Sequence, residues 1–135
     1  MTRFLALIIT LIFSSISFAD FEKGLDCAQQ QDFACALKEW KPLAAEGDMD
    51  AQYNLGIMYS NGEGVKQDKF AAFKYYKLAA DQGYSKAQYN LGSMYNNGQG
   101  VKQDKFEAKR LYGLACNNRD AEGCDNYKLL NEAGY

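Results

Sequence analysis

Apolar residues recur every three or four positions through most of the chain, which is the spacing of one face of an α-helix. In the segment 33–46 this face contains Ala36, Leu37, Trp40 and Leu43. The pattern predicts an all-α chain of about seven helices. They cover residues 20–30, 33–46, 50–60 and 68–82, a second copy of the last two helices within 86–118, and a final helix at 121–131.

The predicted helix ends carry residues with known capping preferences. Asp32 and Asp68 are suited to cap the N-termini of the helices that follow them. Asp104 is followed three residues later by Glu107, which is the spacing of a capping box. Because Pro42 lacks an N–H and crowds the carbonyl four residues earlier, we expect a kink or an early stop there.

One stretch of the sequence is repeated. AQYNLGIMYSNGEGVKQ at 51–67 returns thirty-six residues later as AQYNLGSMYNNGQGVKQ at 87–103. When the comparison extends to Gln82 and Asn118, 21 of 32 positions are identical. A period of this size is typical of stacked helical units. The predicted units are a helix pair at 20–46, repeats at 50–83 and 86–118, and a closing helix at 121–131 that caps the array.

A helical projection separates the two faces of each repeat. Ala51, Leu55 and Tyr59 fall on the face predicted to be buried, and Gly56 lies beside them. A missing side chain at Gly56 lets a neighbouring helix approach closely. Tyr53 points the other way, as does its copy Tyr89. The corresponding buried positions of the following helix are Ala72, Tyr76, Ala79 and Ala80.

The first nineteen residues differ from the rest of the chain. Arg3 supplies a positive charge, Phe4–Ile16 is almost wholly apolar, and Ser17-Phe18-Ala19 places small residues at the two positions that determine cleavage. This pattern predicts a signal peptide cleaved after Ala19. The alternative, a membrane-spanning helix, needs about 20 apolar residues, and the stretch is shorter. We therefore expect a periplasmic or secreted chain with no stable membrane insertion after cleavage.

Charge and composition exclude several classes of function. After Ala19 there are 14 basic and 17 acidic residues without a basic cluster, so we expect no nucleic-acid partner. The chain has no histidine, and therefore no Ser-His-Asp or Cys-His arrangement is possible. The S-x-x-K and K-T-G motifs of serine β-lactamases are also missing. We predict no catalytic residues and no cofactor.

The four cysteines form two pairs in the sequence. Cys27 and Cys35 are eight residues apart, as are Cys116 and Cys124, and about eighty residues separate the pairs. Disulfides persist in the oxidising compartments to which a signal peptide leads, and three pairings are formally possible. A zinc site would need all four thiolates to converge, although the pairs belong to opposite ends of the array. We predict no metal site.

The pattern A-x-x-x-L-G-x-x-Y-x-x-G-x-G-V-x-x-D-x-x-x-A-x-x-x-Y-x-x-A resembles the Sel-one-like (Sel1-like) repeat family, a subgroup of tetratricopeptide-like helical solenoids. It matches 51–80 and 87–115 position by position. The first helix pair departs from it, because a Gln-Gln-Gln-Asp turn replaces the G-x-G-V insertion, and it looks more like an ordinary tetratricopeptide unit. The resemblance implies a right-handed α-solenoid of antiparallel helix pairs.

The segment from Ala115 to Cys124 also looks like the cysteine-rich, secreted bacterial branch of this family. In that branch two cysteines eight apart join the second helix of one repeat to the first helix of the next, which implies a bond between Cys116 and Cys124. Cys27 and Cys35 flank the first turn in the same manner. Members of the branch have been associated with penicillin binding and β-lactam hydrolysis, so β-lactam binding or β-lactamase-like activity is the alternative function.

Tyr53 and Tyr89 are candidates for binding a partner, because tyrosine offers a large contact area and a hydroxyl. The resemblance implies that their face lines a concave groove. The expected groove residues are Asp50, Tyr53, Ile57, Ser60, Asn61, Lys86, Tyr89, Ser93, Asn96 and Asn97. Packing of both tyrosines against the next repeat is the alternative. We expect a monomeric, non-enzymatic module of a Gram-negative bacterium, an adaptor or immunity-type binder, that grips a protein or peptide segment.

Overall fold

The computed structural model describes residue 18 and residues 20–135. The predicted signal peptide, apart from Phe18, lies outside the described residues. These residues form seven helices and no strand, which confirms the all-α prediction. Helix α1 includes residues 20–29. The others are α2 (Phe33–Ala45), α3 (Met49–Asn61), α4 (Lys69–Asp81), α5 (Ser85–Asn97), α6 (Lys105–Asn117) and α7 (Ala121–Glu132).

From α2 to α7, each helix packs against the next one in the chain. Helix α1 contacts α2 through Phe21 and Trp40 and through the bond between Cys27 and Cys35, so the helices form a linear array of pairs. We call α1, α3, α5 and α7 the first helices of their units, and α2, α4 and α6 the second helices. Most positions predicted to be buried are buried: Ala36, Trp40, Leu43, Ala51, Leu55, Ala72, Tyr76, Ala79, Ala80, Ala87, Leu91, Ala108, Tyr112 and Ala115. Leu37 and Tyr59, which share the predicted faces, are only partly buried. The tetratricopeptide-like α-solenoid that the family resemblance implies is present.

The predicted helix ends are correct to within one residue, with two corrections to the local chemistry. Asp104 accepts a hydrogen bond from the Glu107 N–H at 3.0 Å, but the Glu107 carboxylate pairs with Arg110 at 2.6 Å and does not complete a capping box. The guanidinium, one turn ahead, is the stronger donor. Helix α2 does not stop at Pro42 but continues to Ala45. Both Lys38, whose carbonyl loses its partner, and Pro42 are exposed, so water can replace the missing N–H.

Close packing between the helices of a repeat depends on glycine. A Cβ added to Gly56 would lie 2.6 Å from the ring of Tyr76, and one added to Gly92 would lie 3.0 Å from the ring of Tyr112. Real Cβ atoms essentially never approach a neighbour more closely than 3.0 Å. The glycine beside the buried face therefore lets the tyrosine of the second helix lie directly on the first helix, as predicted.

A buried glutamine links successive repeats. Gln52 Nε2 donates to the carbonyl of Ala44 at 3.1 Å, and its Oε1 accepts from Gln82 Nε2 at 2.8 Å. Gln88 repeats both contacts, with Ala80 at 3.2 Å and Asn118 at 2.9 Å. Both glutamines are less than 5% exposed. The sequence pattern did not predict this polar link, because glutamine is mostly exposed in proteins, although Gln52 lies about 60° from Leu55 on the helical projection.

Both cysteine pairs form local disulfides. Cys27 is bonded to Cys35 and Cys116 to Cys124. The Cα atoms of the two pairs are 5.7 Å and 4.5 Å apart, within the range that a disulfide requires. The first bond joins α1 to α2 across their turn, and the second joins α6 to α7. The disulfides thus secure the two ends of the described array.

Candidate functional site

A cavity of about 250 Å³ opens along the first helices. Its lining residues are Tyr53, Lys86, Tyr89, Asn90, Asp120 and Glu122. They belong to α3, to α5 and to the N-terminal end of α7, so three successive units contribute and no second helix does. We call this site the first-helix cavity.

Tyr53 forms one wall of the cavity and also packs between repeats. Its ring centroid lies 4.9 Å from that of Tyr84 and 5.9 Å from that of Tyr76. Its hydroxyl faces the side chain of Asn90 on the next first helix. Burial raises the pKa of Tyr53, and hydrogen bonding to Asn90 offsets part of this effect. The two roles that the sequence left as alternatives, packing and cavity lining, therefore coincide in one side chain.

Tyr89 repeats this arrangement one unit later. Its ring lies 5.6 Å from that of Tyr112, and its hydroxyl faces Glu122 and Asn126 on α7. Burial raises the pKa of Tyr89, and the Glu122 carboxylate raises it further. Asn126 lies thirty-six residues after Asn90, so the same tyrosine–asparagine contact joins α3 to α5 and α5 to α7.

Tyr84 marks a local departure from the repeat. The equivalent residues Asp48 and Asp120 cap α3 and α7, each accepting a backbone N–H at 2.8 Å. Tyr84 precedes α5 without a side-chain cap, which forgoes about 1 kcal/mol of helix stability. Its ring instead packs against Tyr53. Burial and then the neighbouring Asp50 carboxylate raise the pKa of Tyr84 to about 12.

The cavity is acidic with one ammonium group. Asp120 and Glu122 supply carboxylates, although one oxygen of Asp120 is engaged as the cap of α7. Lys86 of α5 supplies the ammonium group. Among the described residues, Lys86 forms no ion pair within 4 Å. The site therefore offers two tyrosine hydroxyls, an amide, two carboxylates and an unpaired ammonium to a polar ligand.

The structure brings together part of the predicted groove. Tyr53, Lys86 and Tyr89 line the cavity, and Asp50 lies beside it next to Tyr84. The other predicted residues do not line it: Ile57, Ser60, Asn61, Ser93, Asn96 and Asn97.

The three remaining groove residues of the first repeat have local partners. Ile57 lines a separate concavity toward α1 and α2. Ser60 Oγ accepts a hydrogen bond from Lys69 Nζ at 2.9 Å. Asn61 Nδ2 donates to Glu63 at 3.2 Å in the loop that follows α3. These contacts connect α3 to its loop and to α4.

The equivalent residues of the second repeat also form local hydrogen bonds. Ser93 Oγ accepts from Asn97 Nδ2 at 3.3 Å. The Asn96 carbonyl accepts from Gln103 Nε2 at 2.7 Å, as the Ser60 carbonyl does from Gln67 at 2.8 Å. The C-terminal ends of α3 and α5 therefore form hydrogen bonds within their own helix hairpins.

Sequence reasoning missed three residues of the cavity. Asn90 is identical to Asn54 in the first repeat, so repeat identity made it appear purely structural. Asp120 and Glu122 fall in the closing helix, outside the two compared repeats. One available signal was the tyrosine at position 84, where the equivalent residues are capping aspartates.

Residues 18 and 20–135 contain neither a metal-binding cluster nor a membrane-spanning helix. Within this part of the chain, no group of three or more cysteine, aspartate or glutamate side chains could hold a metal ion. Of the helices it contains, none combines the length and apolar character required to cross a membrane.

Comparison with known proteins identifies the repeat. Residues 50–84 and 85–120 each match the family model of the Sel1 repeat, and together they make up more than half of the chain. Among curated proteins, no sequence matches the chain significantly.

Several solved structures share the fold. A protective antigen of uropathogenic Escherichia coli strains with an SLR fold is 33% identical, with a TM-score of 0.86 over 90% of this chain and 27% of that chain. A Sel1 repeat protein from Oxalobacter formigenes is 28% identical, with a TM-score of 0.80 over 84% of this chain and 47% of that chain. The present chain thus spans less than half the length of either relative.

A third structure, the cysteine rich protein B of Helicobacter pylori, is 23% identical. Its TM-score is 0.64 over 67% of this chain and 68% of that chain. At this identity the likeness concerns the fold alone.

Proposed function

Because the chain belongs to the Sel1 repeat family, whose members are generally non-catalytic interaction modules, we propose that it binds a segment of another protein in the first-helix cavity. The observation that supports this most strongly is Tyr84. Its position holds a capping aspartate in the neighbouring units, and here the cap is replaced by an aromatic ring packed on Tyr53. Departures from local sequence rules concentrate at functional sites.

The chemistry of the cavity indicates the kind of segment it accepts. Hydroxyl, amide and carboxylate groups surround the unpaired Lys86 ammonium. Such a mixture fits a polar loop or an extended peptide whose own charged groups complement Lys86 on one side and Glu122 on the other. Tyr53 and Tyr89 are held by ring packing before any ligand binds, which lowers the entropy lost on binding.

We also propose that the protein acts in the periplasm or outside the cell of a Gram-negative bacterium, as a monomer. Two disulfides and the predicted signal peptide support this location. An immunity-type protein that neutralises a toxin and an adaptor in an envelope complex both fit the proposal. N-terminal sequencing of the protein recovered from the periplasm is expected to begin at Asp20.

The test is capture of the partner by immobilised, oxidised protein from periplasmic and secreted extracts of the source bacterium. A triple variant, Tyr53→Phe, Tyr89→Phe and Lys86→Ala, keeps the ring packing but removes three polar groups of the cavity. We expect one protein to be captured by the wild type and at least tenfold less by this variant. Lys102→Ala, an exposed position outside the cavity, is the matched control. Equal capture by all three proteins would refute the assignment of the cavity.

A further inference from the structure

A second concavity, of about 500 Å³, is lined mainly by the second helices α2 and α4, with Tyr59 of α3. Phe70, Tyr75 and Leu78 of α4 form one wall, and Ala44 and Ala45 at the end of α2 form the other. A further concavity of about 550 Å³ adjoins it and shares residues with it, including Phe70. We call the combined feature the second-helix groove. It shares no lining residue with the first-helix cavity.

The groove presents large apolar side chains to solvent. Phe70 is 71% exposed and Leu78 is 48% exposed. They lie two turns apart on one face of α4, with Lys74 between them. Exposed apolar surface that borders a concavity is typical of an interaction site, whereas isolated exposed apolar residues are not.

Two unpaired lysines border the apolar walls. Lys41 of α2 and Lys74 of α4 line the groove, and among the described residues neither forms an ion pair within 4 Å. Burial raises the pKa of the Tyr75 hydroxyl, and the nearby Lys41 ammonium offsets a smaller part of this effect. The groove also contains the carboxylate of Asp68, whose Oδ1 accepts hydrogen bonds from two backbone N–H groups of α4, so two unpaired ammonium groups stand against one helix-capping carboxylate.

Comparison with the second repeat shows that the repeat pattern does not require an unpaired positive charge at the position of Lys74. In α6, Arg110 stands at the position of Lys74, and Glu107 stands at the position of Ala71. These two side chains form an ion pair at 2.6 Å, so the positive charge is neutralised within the helix. In α4 the same position keeps a free ammonium beside the apolar groove, in a chain whose net charge is -2.

We propose that the second-helix groove binds a segment of another protein in which apolar side chains alternate with carboxylates. The apolar residues of such a segment would cover Phe70 and Leu78, and its carboxylates would pair with Lys41 and Lys74. Opposite charges across an interface steer association and select the partner. A second copy of this chain fits less well, because an isologous contact would bring the same lysines together from both sides.

The experiment selects partners without assuming a sequence. A phage-displayed library of random twelve-residue peptides is panned against oxidised protein produced by export. The affinity of each selected peptide is then measured for Lys41→Glu/Lys74→Glu and for the control Lys38→Glu/Lys102→Glu, which changes the net charge equally at two exposed positions that line neither the groove nor the first-helix cavity. Phe70→Ser tests the apolar wall separately. Circular dichroism confirms that each variant is folded.

We expect the selected peptides to combine aspartate or glutamate with aromatic or aliphatic residues. Their affinity should fall at least tenfold for Lys41→Glu/Lys74→Glu and for Phe70→Ser, and less than twofold for the control. Peptides without acidic residues, equal loss in the control, or failure to select any peptide would overturn the proposal. So would a dimer in sedimentation equilibrium that Phe70→Ser dissociates, since the groove would then bind a second copy.

Discussion

Cys124 occupies in α7 the position that Gln88 occupies in α5, thirty-six residues earlier. Gln88 donates a hydrogen bond to the carbonyl of Ala80, and Cys124 is bonded to Cys116, the residue equivalent to Ala80. The same inter-repeat contact is therefore made by a buried amide within the array and by a covalent bond at its end.

This equivalence predicts the outcome of a double substitution. Removing the disulfide with Cys116→Ala/Cys124→Ser should destabilise the protein by about 2–4 kcal/mol. Cys116→Ala/Cys124→Gln restores the side-chain pair found in the preceding repeat, and its new amide should recover about 1 kcal/mol by bonding the carbonyl of position 116. Urea denaturation of both variants measures the difference. Equal stability of the two variants would mean that the positions are not interchangeable.

Glycine packing gives a second prediction with a matched control inside the chain. Gly56→Ala places a methyl group 2.6 Å from the ring of Tyr76, whereas the equivalent Gly92→Ala places one 3.0 Å from Tyr112. Overpacking costs about 1–3 kcal/mol, and the better helix propensity of alanine returns about 1 kcal/mol. We expect Gly56→Ala to lower the unfolding free energy by about 1–2 kcal/mol and Gly92→Ala to lower it less.

Thermal and urea unfolding of the two glycine variants would measure this order. A larger loss for Gly92→Ala, or a gain for Gly56→Ala, would contradict the close helix contact seen at Gly56.

The raised pKa values of several tyrosines predict that the folded protein loses stability at alkaline pH. The pKa of Tyr84 in the folded protein is about 12, above its ordinary value of 10.0, so the unfolded chain ionises first. The contribution of Tyr84 to stability is therefore fully present below about pH 10 and is lost as the pH rises toward 12. Burial also raises the pKa values of Tyr53, Tyr89 and Tyr112, which adds to the effect.

The corresponding measurement is urea denaturation at pH 8 and pH 11, with tyrosinate absorbance as a second signal. Tyr84→Phe cannot ionise and should lose less stability than the wild type between these two pH values. If both proteins lost the same amount, the raised pKa of Tyr84 would not contribute to alkaline unfolding.

Most of the fold could be predicted from the sequence because the same helix-pair pattern occurs twice in the chain. Helical spacing and the positions of Leu55 and Gly56 depend on local geometry, which a linear pattern records well. The hydrogen bonds of the buried Gln52 could not be predicted in this way. They depend on a carbonyl eight residues earlier and an amide thirty residues later, and only the folded array brings these groups together.

Fewer residues of the candidate site could be predicted from the sequence, because the site also depends on how the helices stack. Tyr53 and Tyr89 were found because they lie opposite the buried face, which is a property of one helix. The first-helix cavity also needs Asp120 and Glu122, whose placement depends on how α7 stacks against α5. Ser60 and Asn96 lie on the predicted face. Because they are near helix ends, their carbonyls accept hydrogen bonds from glutamines of the loops that follow.

The affinity of the captured partner for matched variants tests the central claim most directly. Isothermal titration would compare the wild type with the triple variant Tyr53→Phe, Tyr89→Phe and Lys86→Ala and with the control Lys102→Ala. The loss of three polar contacts of about 1 kcal/mol each predicts an affinity at least tenfold weaker for the triple variant and an unchanged affinity for the control. An equal affinity for the wild type and the triple variant would contradict binding in the first-helix cavity.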